Sequence, residues 1–236
     1  MSEFILPIRV DIHDVDFNGV CRASSLLRYV QSAAQAQLNE NGMSYDNLKN
    51  MNRAFIISRM HMEFDAPVYP YEALRAITFP CESRGYSFLR CYQLNRGEEV
   101  VGRAVSIWAL IDIEKKSLVR VGDFPLGLPL LPPLDLSVSH FRMPSEIREV
   151  GTYTVTYADT DQNRHMNNTR YADMLATFLP MDGARIRSLS ISYNAEAPMG
   201  ETLRVFRYGE GDTYYIRTLR EDGKVNCEAE IVLAKI

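Results

Sequence analysis

The pattern Asp-x-Asp-x-Asn is written twice in this chain, and each copy precedes the same order of secondary-structure signals. Asp14, Asp16 and Asn18 match Asp159, Asp161 and Asn163 at one constant offset. Downstream, Met62-x-Phe64-x-Ala66 and Glu72-x-Leu74 match Ile191-x-Tyr193-x-Ala195 and Glu201-x-Leu203 at a shorter offset. The difference reflects a longer helical region in the first half. The short pattern alone would be unremarkable, but the shared element order makes internal duplication the better explanation.

Residues 4–12 alternate loosely, as a strand entering the loop His13–Gly19. From Ala23, Leu26, Leu27, Val30, Ala33, Ala34 and Leu38 recur at helical spacing, and Asn41-Gly42 is a stop signal. A short helix is predicted over 44–50. Strand-like runs follow at about 54–64, 73–82, 86–95 and 99–112, with Asn95-Arg96-Gly97 as a hairpin turn. Val100–Ile113 is apolar on both faces, which predicts a central strand, and another short strand is predicted after Lys115-Lys116.

The segment 122–144 carries five prolines and breaks the pattern, because proline removes backbone donors and fixes φ. Its leucines predict a linker packed down on the surface. The order then repeats: a strand at 150–157, a polar loop, a helix at about 169–179, and strands at about 185–195, 201–208, 213–220 and 224–235. Asp222-Gly223 signals a tight hairpin. In the last strand Val225, Cys227, Ala229, Ile231 and Leu233 alternate with Asn226, Glu228 and Glu230, as in a half-buried strand.

Each half therefore supplies one apolar helix and a long antiparallel meander. Such a unit leaves a sheet edge unpaired, and two copies can join edges into one continuous sheet. The expected fold is α+β, a double hotdog. Its expected parts are a first repeat at 1–122, a linker at 123–147 and a second repeat at 148–236.

Bulk properties narrow the function. Hydrophobic residues make up 46% and charged residues 24%, as in an ordinary globular protein. A net charge of −4 argues against a general nucleic-acid binder. The four cysteines form no C-x-x-C pair, so a reduced, cytoplasmic protein without structural zinc is expected. The start MSEFILPIRV has no signal-peptide pattern, and no run approaches the roughly 20 apolar residues of a membrane helix.

The chemistry concentrates in Tyr157–Tyr171. The start of an EF-hand loop is suggested by Asp14-x-Asp16-x-Asn18-Gly19, but the twelfth position is Ser25, and Arg170 in the second copy. Calcium is therefore not expected. Cys227 is the second half's one cysteine, and its inward strand position reads as core. Asp161, Asn163 and His165 fall at alternate positions, so one wall of an extended segment can present an acid, an amide and an imidazole together. The following helix points free N–H groups at this wall, which favours a developing oxyanion. Asn168 and Thr169 read first as helix caps. In the first copy Gly19 and Val20 replace Arg164 and His165, which predicts one active site per chain. Asp16 and Asn18 are then read as turn-formers.

At these residues the chain resembles the acyl-acyl carrier protein (acyl-ACP) thioesterases, both the plant enzymes and their bacterial relatives. The match is D-x-N-x-H-x-N-N-x-x-Y, present as Asp161, Asn163, His165, Asn167, Asn168 and Tyr171. The family also places a glutamate after the second helix, and Glu196 stands there. Some plant members carry a cysteine next to it. Ala197 occupies that position here, which puts the weight on the carboxylates. The resemblance implies hydrolysis of fatty acyl-ACP without a cofactor. Glu196, helped by His165, would activate water, and Asn163 would hold water or carbonyl. Asp161 would orient the network or attack to form a transient anhydride; both routes stay open. The acyl chain is expected in the N-terminal half, against helix Ala23–Leu38 and strand Phe55–Phe64. The acidic carrier protein is the expected partner, with Arg164 or Arg170 receiving it. The absence of a plant-type targeting extension implies a cytoplasmic enzyme. Acyl-CoA hydrolysis and non-catalytic acyl binding remain alternatives, and a homodimer is left open.

Overall fold

The computed structural model describes residues 3–138 and 141–236. Strand β1 (Phe4–Arg9) leads through a 3-10 turn at Ile12–Asp14 to helix α1 (Ala23–Glu40) and short helix α2 (Tyr45–Asn50). Strands β2 (Arg53–Phe64), β3 (Ala73–Pro80), β4 (Phe88–Arg96), β5 (Glu99–Asp112) and β6 (Ser117–Val119) complete the first half. After the linker come β7 (Arg148–Thr154), a 3-10 turn at Tyr157–Asp159 and helix α3 (Arg170–Thr177). Strands β8 (Ala184–Tyr193), β9 (Thr202–Glu210), β10 (Thr213–Leu219) and β11 (Val225–Lys235) close the chain.

The eleven strands among the described residues form one sheet, ordered β1-β3-β4-β5-β2-β8-β11-β10-β9-β7 with β6 beside β5. The two halves are mirrored about the β2–β8 pair, as expected for joined edges. The joint is antiparallel, with Met60 opposite Ile191 and Met62 opposite Leu189. All four side chains are buried. One detail departs from the simple meander read in the sequence. β2 pairs with β5 rather than with its sequence neighbour β3, and β8 likewise pairs with β11. This order places β2 and β8 at the edges that meet in the joint. The remaining edges, β1 and β7, carry Pro7 and a register shift at Gly151, features that discourage pairing with another chain.

Helix α1 buries Leu26, Leu27, Val30, Ala33 and Ala34 in a core that runs through both halves. The small alanine face lets the helix lie close to the sheet. Its end follows the Asn41-Gly42 signal: Gly42 takes φ +74°, and the Met43 N–H donates to Leu38 O at 2.8 Å. The first strand stops at Arg9 because Asp11 caps the 3-10 turn with its side chain. The strand predicted at 150–157 ends at Thr154 for the same reason, since Thr156 and Asp159 form a reciprocal capping box.

The leucine-rich linker is packed down as expected. Leu131, Leu134, Leu136 and Val138 cover Phe79, Cys81, Cys91 and Val105 on one sheet face. The Leu131 N–H also donates to Pro80 O at 3.1 Å. Ser139 and His140 of this segment lie outside the described residues. Among the described residues, no helix is long and apolar enough to cross a membrane.

Candidate active site

The loop after β7 is built by its own polar side chains. Asp159 accepts hydrogen bonds from Thr156 N–H at 2.8 Å, Thr156 Oγ1 at 2.6 Å and Tyr153 Oη at 2.8 Å. Burial acts to raise this carboxyl's pKa. The hydrogen bonds from Thr156 and Tyr153, and the charge of Arg170, outweigh burial and hold it below the ordinary carboxylate value. A depressed folded-state pKa adds stability above the unfolded value of about 3.9 and loses it as pH falls through the folded value. Asp159→Asn is therefore expected to cost about 1.5–3 kcal/mol at pH 7. The gap to the wild type should begin to narrow below about pH 4 and shrink further as pH falls. Urea midpoints at the two pH values check this, and a gap that stays constant would contradict it.

Asp161 comes next. Its Oδ1 accepts the Asn163 N–H at 2.8 Å and its Oδ2 accepts the Asn167 amide at 3.3 Å. Its backbone N–H and carbonyl close the loop, to His165 O at 3.1 Å and from Arg164 N at 2.9 Å. Arg164 takes φ +63° at the tip of this turn. Met166 then donates to Ala197 O at 2.8 Å, and His165 forms a bridge with Pro198. This short antiparallel contact carries His165 to Glu196: Nδ1 and Oε2 lie 3.3 Å apart. The imidazole is about one-third exposed and the carboxylate two-thirds.

The structure thus brings together all four residues singled out in the sequence. Asp161 and Asn163 share one turn, and His165 and Glu196 form a contact pair. All four line one cleft of about 1070 Å³. The cleft extends away from the loop into the first half, between α1, α2 and the start of β2, past Gln35, Leu48, Phe55 and Ile57. The helix and strand expected as walls of an acyl pocket are among its walls.

Three site features were misread or missed. Thr169 sits at the cap position of α3 but makes no side-chain cap bond. Its own N–H and Oγ1 donate instead to Asn167 Oδ1, at 3.0 Å and 2.8 Å. Asn226, read as a solvent-facing member of the last strand, is fully buried. Its Nδ2 donates to Tyr171 Oη at 3.0 Å and Ala195 O at 2.6 Å, and so ties α3 to the segment before Glu196. Strand alternation carries no signal for such a long-range partner. Tyr45, from the other half, donates to Asn163 Oδ1 at 2.8 Å across the loop. Cys227 is buried as expected, and burial pushes its thiol up to about 12.

The first-half copy repeats this backbone. Asp16 Oδ1 accepts Asn18 N–H at 2.8 Å, Asp16 N–H donates to Val20 O at 2.9 Å, and Gly19 takes φ +75°. Cys21 donates to Val68 O as Met166 does to Ala197 O. At the two offsets Val20 and Pro67 stand for His165 and Glu196, so both members of the contact pair are lost together. Asn18 is more than a turn-former. Its amide bonds Met181 O at 2.7 Å and Ala184 O at 3.1 Å, and it accepts from Gly183 N, stitching the halves together.

Comparison with known proteins agrees with this geometry. Residues 3–124 match the acyl-ACP thioesterase N-terminal domain, and residues 143–235 match the acyl-ACP thioesterase C-terminal domain. A chloroplastic oleoyl-acyl carrier protein thioesterase of Coriandrum sativum is 21% identical over 79% of this chain and 57% of its own length. A counterpart from Arabidopsis thaliana is 22% identical over 78% of this chain and 57% of its own length. The chain thus spans a little over half the length of these relatives. Among solved structures, an acyl-ACP thioesterase from Bacteroides thetaiotaomicron superposes with TM-score 0.87 at 22% identity, covering 99% of this chain and 100% of that one. A 12:0-ACP thioesterase from Umbellularia californica gives 0.85 at 14% identity, covering 99% and 98%. With a doubled sheet of the same fold and family matches along most of its length, the chain belongs to the acyl-ACP thioesterase family.

Proposed function

We propose that this protein hydrolyses the thioester of a fatty acyl-acyl carrier protein, releasing a free fatty acid. The observation that carries this reading is the His165–Glu196 contact at the mouth of a long cleft whose far walls belong to the other half. Two catalytic repeats are not needed, since only the later copy keeps both groups. We place the repeats at 1–122 and 148–236, with 123–147 between them.

In this mechanism Glu196, 3.3 Å from His165 Nδ1, favours the tautomer protonated there, which leaves Nε2 as the ring's acceptor. That nitrogen takes a proton from water as the water attacks the thioester carbonyl. The carbonyl oxygen faces the start of α3, where first-turn N–H groups lack helical partners and favour negative charge. The leaving thiol has an ordinary pKa of about 8.5, so departure needs little protonation. Asn163, anchored by Tyr45, borders the water's approach. For Asp161 the orienting role is favoured over attack on the substrate. Both its oxygens already accept hydrogen bonds, and Asp16 holds the same turn bond where no imidazole exists.

The acidic carrier protein meets basic residues at the cleft mouth. Arg164 is exposed and sits at a left-handed position that glycine fills in the other copy. An arginine kept there at a backbone cost of about 1 kcal/mol suits a docking role. Arg164→Gly is expected to hold or slightly raise the melting temperature. It should raise KM several-fold for acyl-ACP while leaving KM for acyl-CoA unchanged. Equal effects on both donors would remove Arg164 from docking.

The function is tested by incubating purified protein with acyl-ACP and acyl-CoA of varied chain length and recording thiol release. Turnover of acyl-ACP above acyl-CoA is the expected result. Binding of acyl groups without thiol release would defeat the hydrolytic reading.

A further inference from the structure

The molecule has a second cavity, of about 640 Å³, and most of its lining residues correspond, at the two repeat offsets, to residues lining the first. At the loop offset, Asp173, Ala176 and Thr177 on α3 correspond to Arg28, Gln31 and Ser32 on α1. At the strand offset, Arg185 and Ile186 correspond to Ile56 and Ile57. Each of these residues lines its own cavity. The second cavity is therefore the mate of the catalytic cleft, bounded by the first-half loop and by α3. It is shorter because α3 ends at Thr177 and no counterpart of α2 follows.

Its chemistry has changed. Val20 and Pro67 replace the histidine and glutamate, so the pair that the first cleft presents is absent here. Apolar side chains fill the lining, among them Leu26, Phe64, Val68, Leu179 and Met181. Arg185 has entered where the catalytic cleft has an isoleucine. Its Nη1 donates to Phe64 O at 2.9 Å, while its Nε is buried and has no partner among the described residues. The carboxylates on the same wall are already engaged. Asp16 accepts the N–H groups of its own turn, and Asp173 accepts Ser24 Oγ at 2.5 Å and pairs with Arg170 at 3.3 Å. Burial first, then the neighbouring Arg187, pulls the guanidinium's pKa down, so nearby acids do not fully compensate its charge.

We propose that this second cavity is a non-catalytic binding site for an aliphatic monocarboxylate, its chain against the apolar wall and its carboxylate on Arg185. A carboxylate matches the planar edge of a guanidinium, and Arg185 is a cation in the cavity lining. A dianion is disfavoured, because Asp16 and Asp173 line the same space. The reading rests on the duplicated fold and on Arg185, not on hydrolysis.

The test is calorimetric titration of the full-length protein with decanoate and with decanol, in the absence of any thioester. Variants Arg185→Met and Ala176→Phe remove the cation and fill the cavity respectively. Wild-type protein is expected to bind decanoate at this site and decanol at least about tenfold more weakly, as loss of a charge-assisted bond requires. In either variant that melts cooperatively, this decanoate binding should fall at least about tenfold. Ala176→Phe breaks no described hydrogen bond and keeps the test alive should Arg185→Met unfold. The proposal is overturned if wild type binds no decanoate, if decanol binds equally well, or if folded variants titrate like wild type. Because binding is read directly, failure of the thioester assay would leave this result standing.

Discussion

Glu196→Gln and His165→Ala are each expected to lower kcat for thioester hydrolysis by about 10²- to 10⁴-fold. Stability should barely change. Both side chains are substantially exposed, and substitutions at such positions usually shift stability by no more than about 0.5 kcal/mol. The two groups act through one contact, so the double variant should be little slower than the worse single one. Loss in kcat with KM held would place the pair in the chemical step, whereas a rise in KM alone would place it in substrate binding. If activity fell only in parallel with melting temperature, the pair would be structural and the proposed mechanism would fail.

Leu189→Ala is expected to destabilise the protein by about 2–5 kcal/mol. Leu189 is buried on β8 at the joint between the halves, facing Met62 across the strand pair. The truncation removes methyl groups that both halves share, and the rigid sheet on either side leaves little freedom to collapse around the gap. The loss should lower a single urea transition instead of splitting it, because the core runs unbroken through both halves. The half-exposed Ile5 on edge strand β1 serves as the control, and Ile5→Ala should stay within about 0.5 kcal/mol. A cost at Leu189 below about 1 kcal/mol, or two separate transitions, would mean that the halves fold as independent units.

The duplication was legible because it lives in short-range chemistry. The Asp-x-Asp-x-Asn turns and the helix and hairpin signals are local, and they recur at fixed offsets. His165 was recognisable from its polar neighbours. Glu196 was found through family resemblance, since nothing in its own segment marks it. What stayed hidden depends on partners distant in sequence. The placement of β2 beside β5, instead of β3, follows from the whole sheet closing and not from β2 itself. Asn226 looks like a surface residue until Tyr171 and the Ala195 carbonyl arrive beside it. Thr169 makes no cap bond because its hydroxyl donates to Asn167, which is itself held by Asp161. Asn18 and Tyr45 each reach across to the opposite half, a role that no window along the chain contains.

The cleft takes its proposed reactive groups from the later half and its far walls from α1, α2 and β2. Under the proposed reaction, rate and fit are therefore written in separate stretches of the gene. Drift in the earlier stretch can retune which chain length is accepted without touching the bond-breaking groups. Exchange of whole N-terminal halves between relatives should then transplant preference while catalytic competence stays with the recipient.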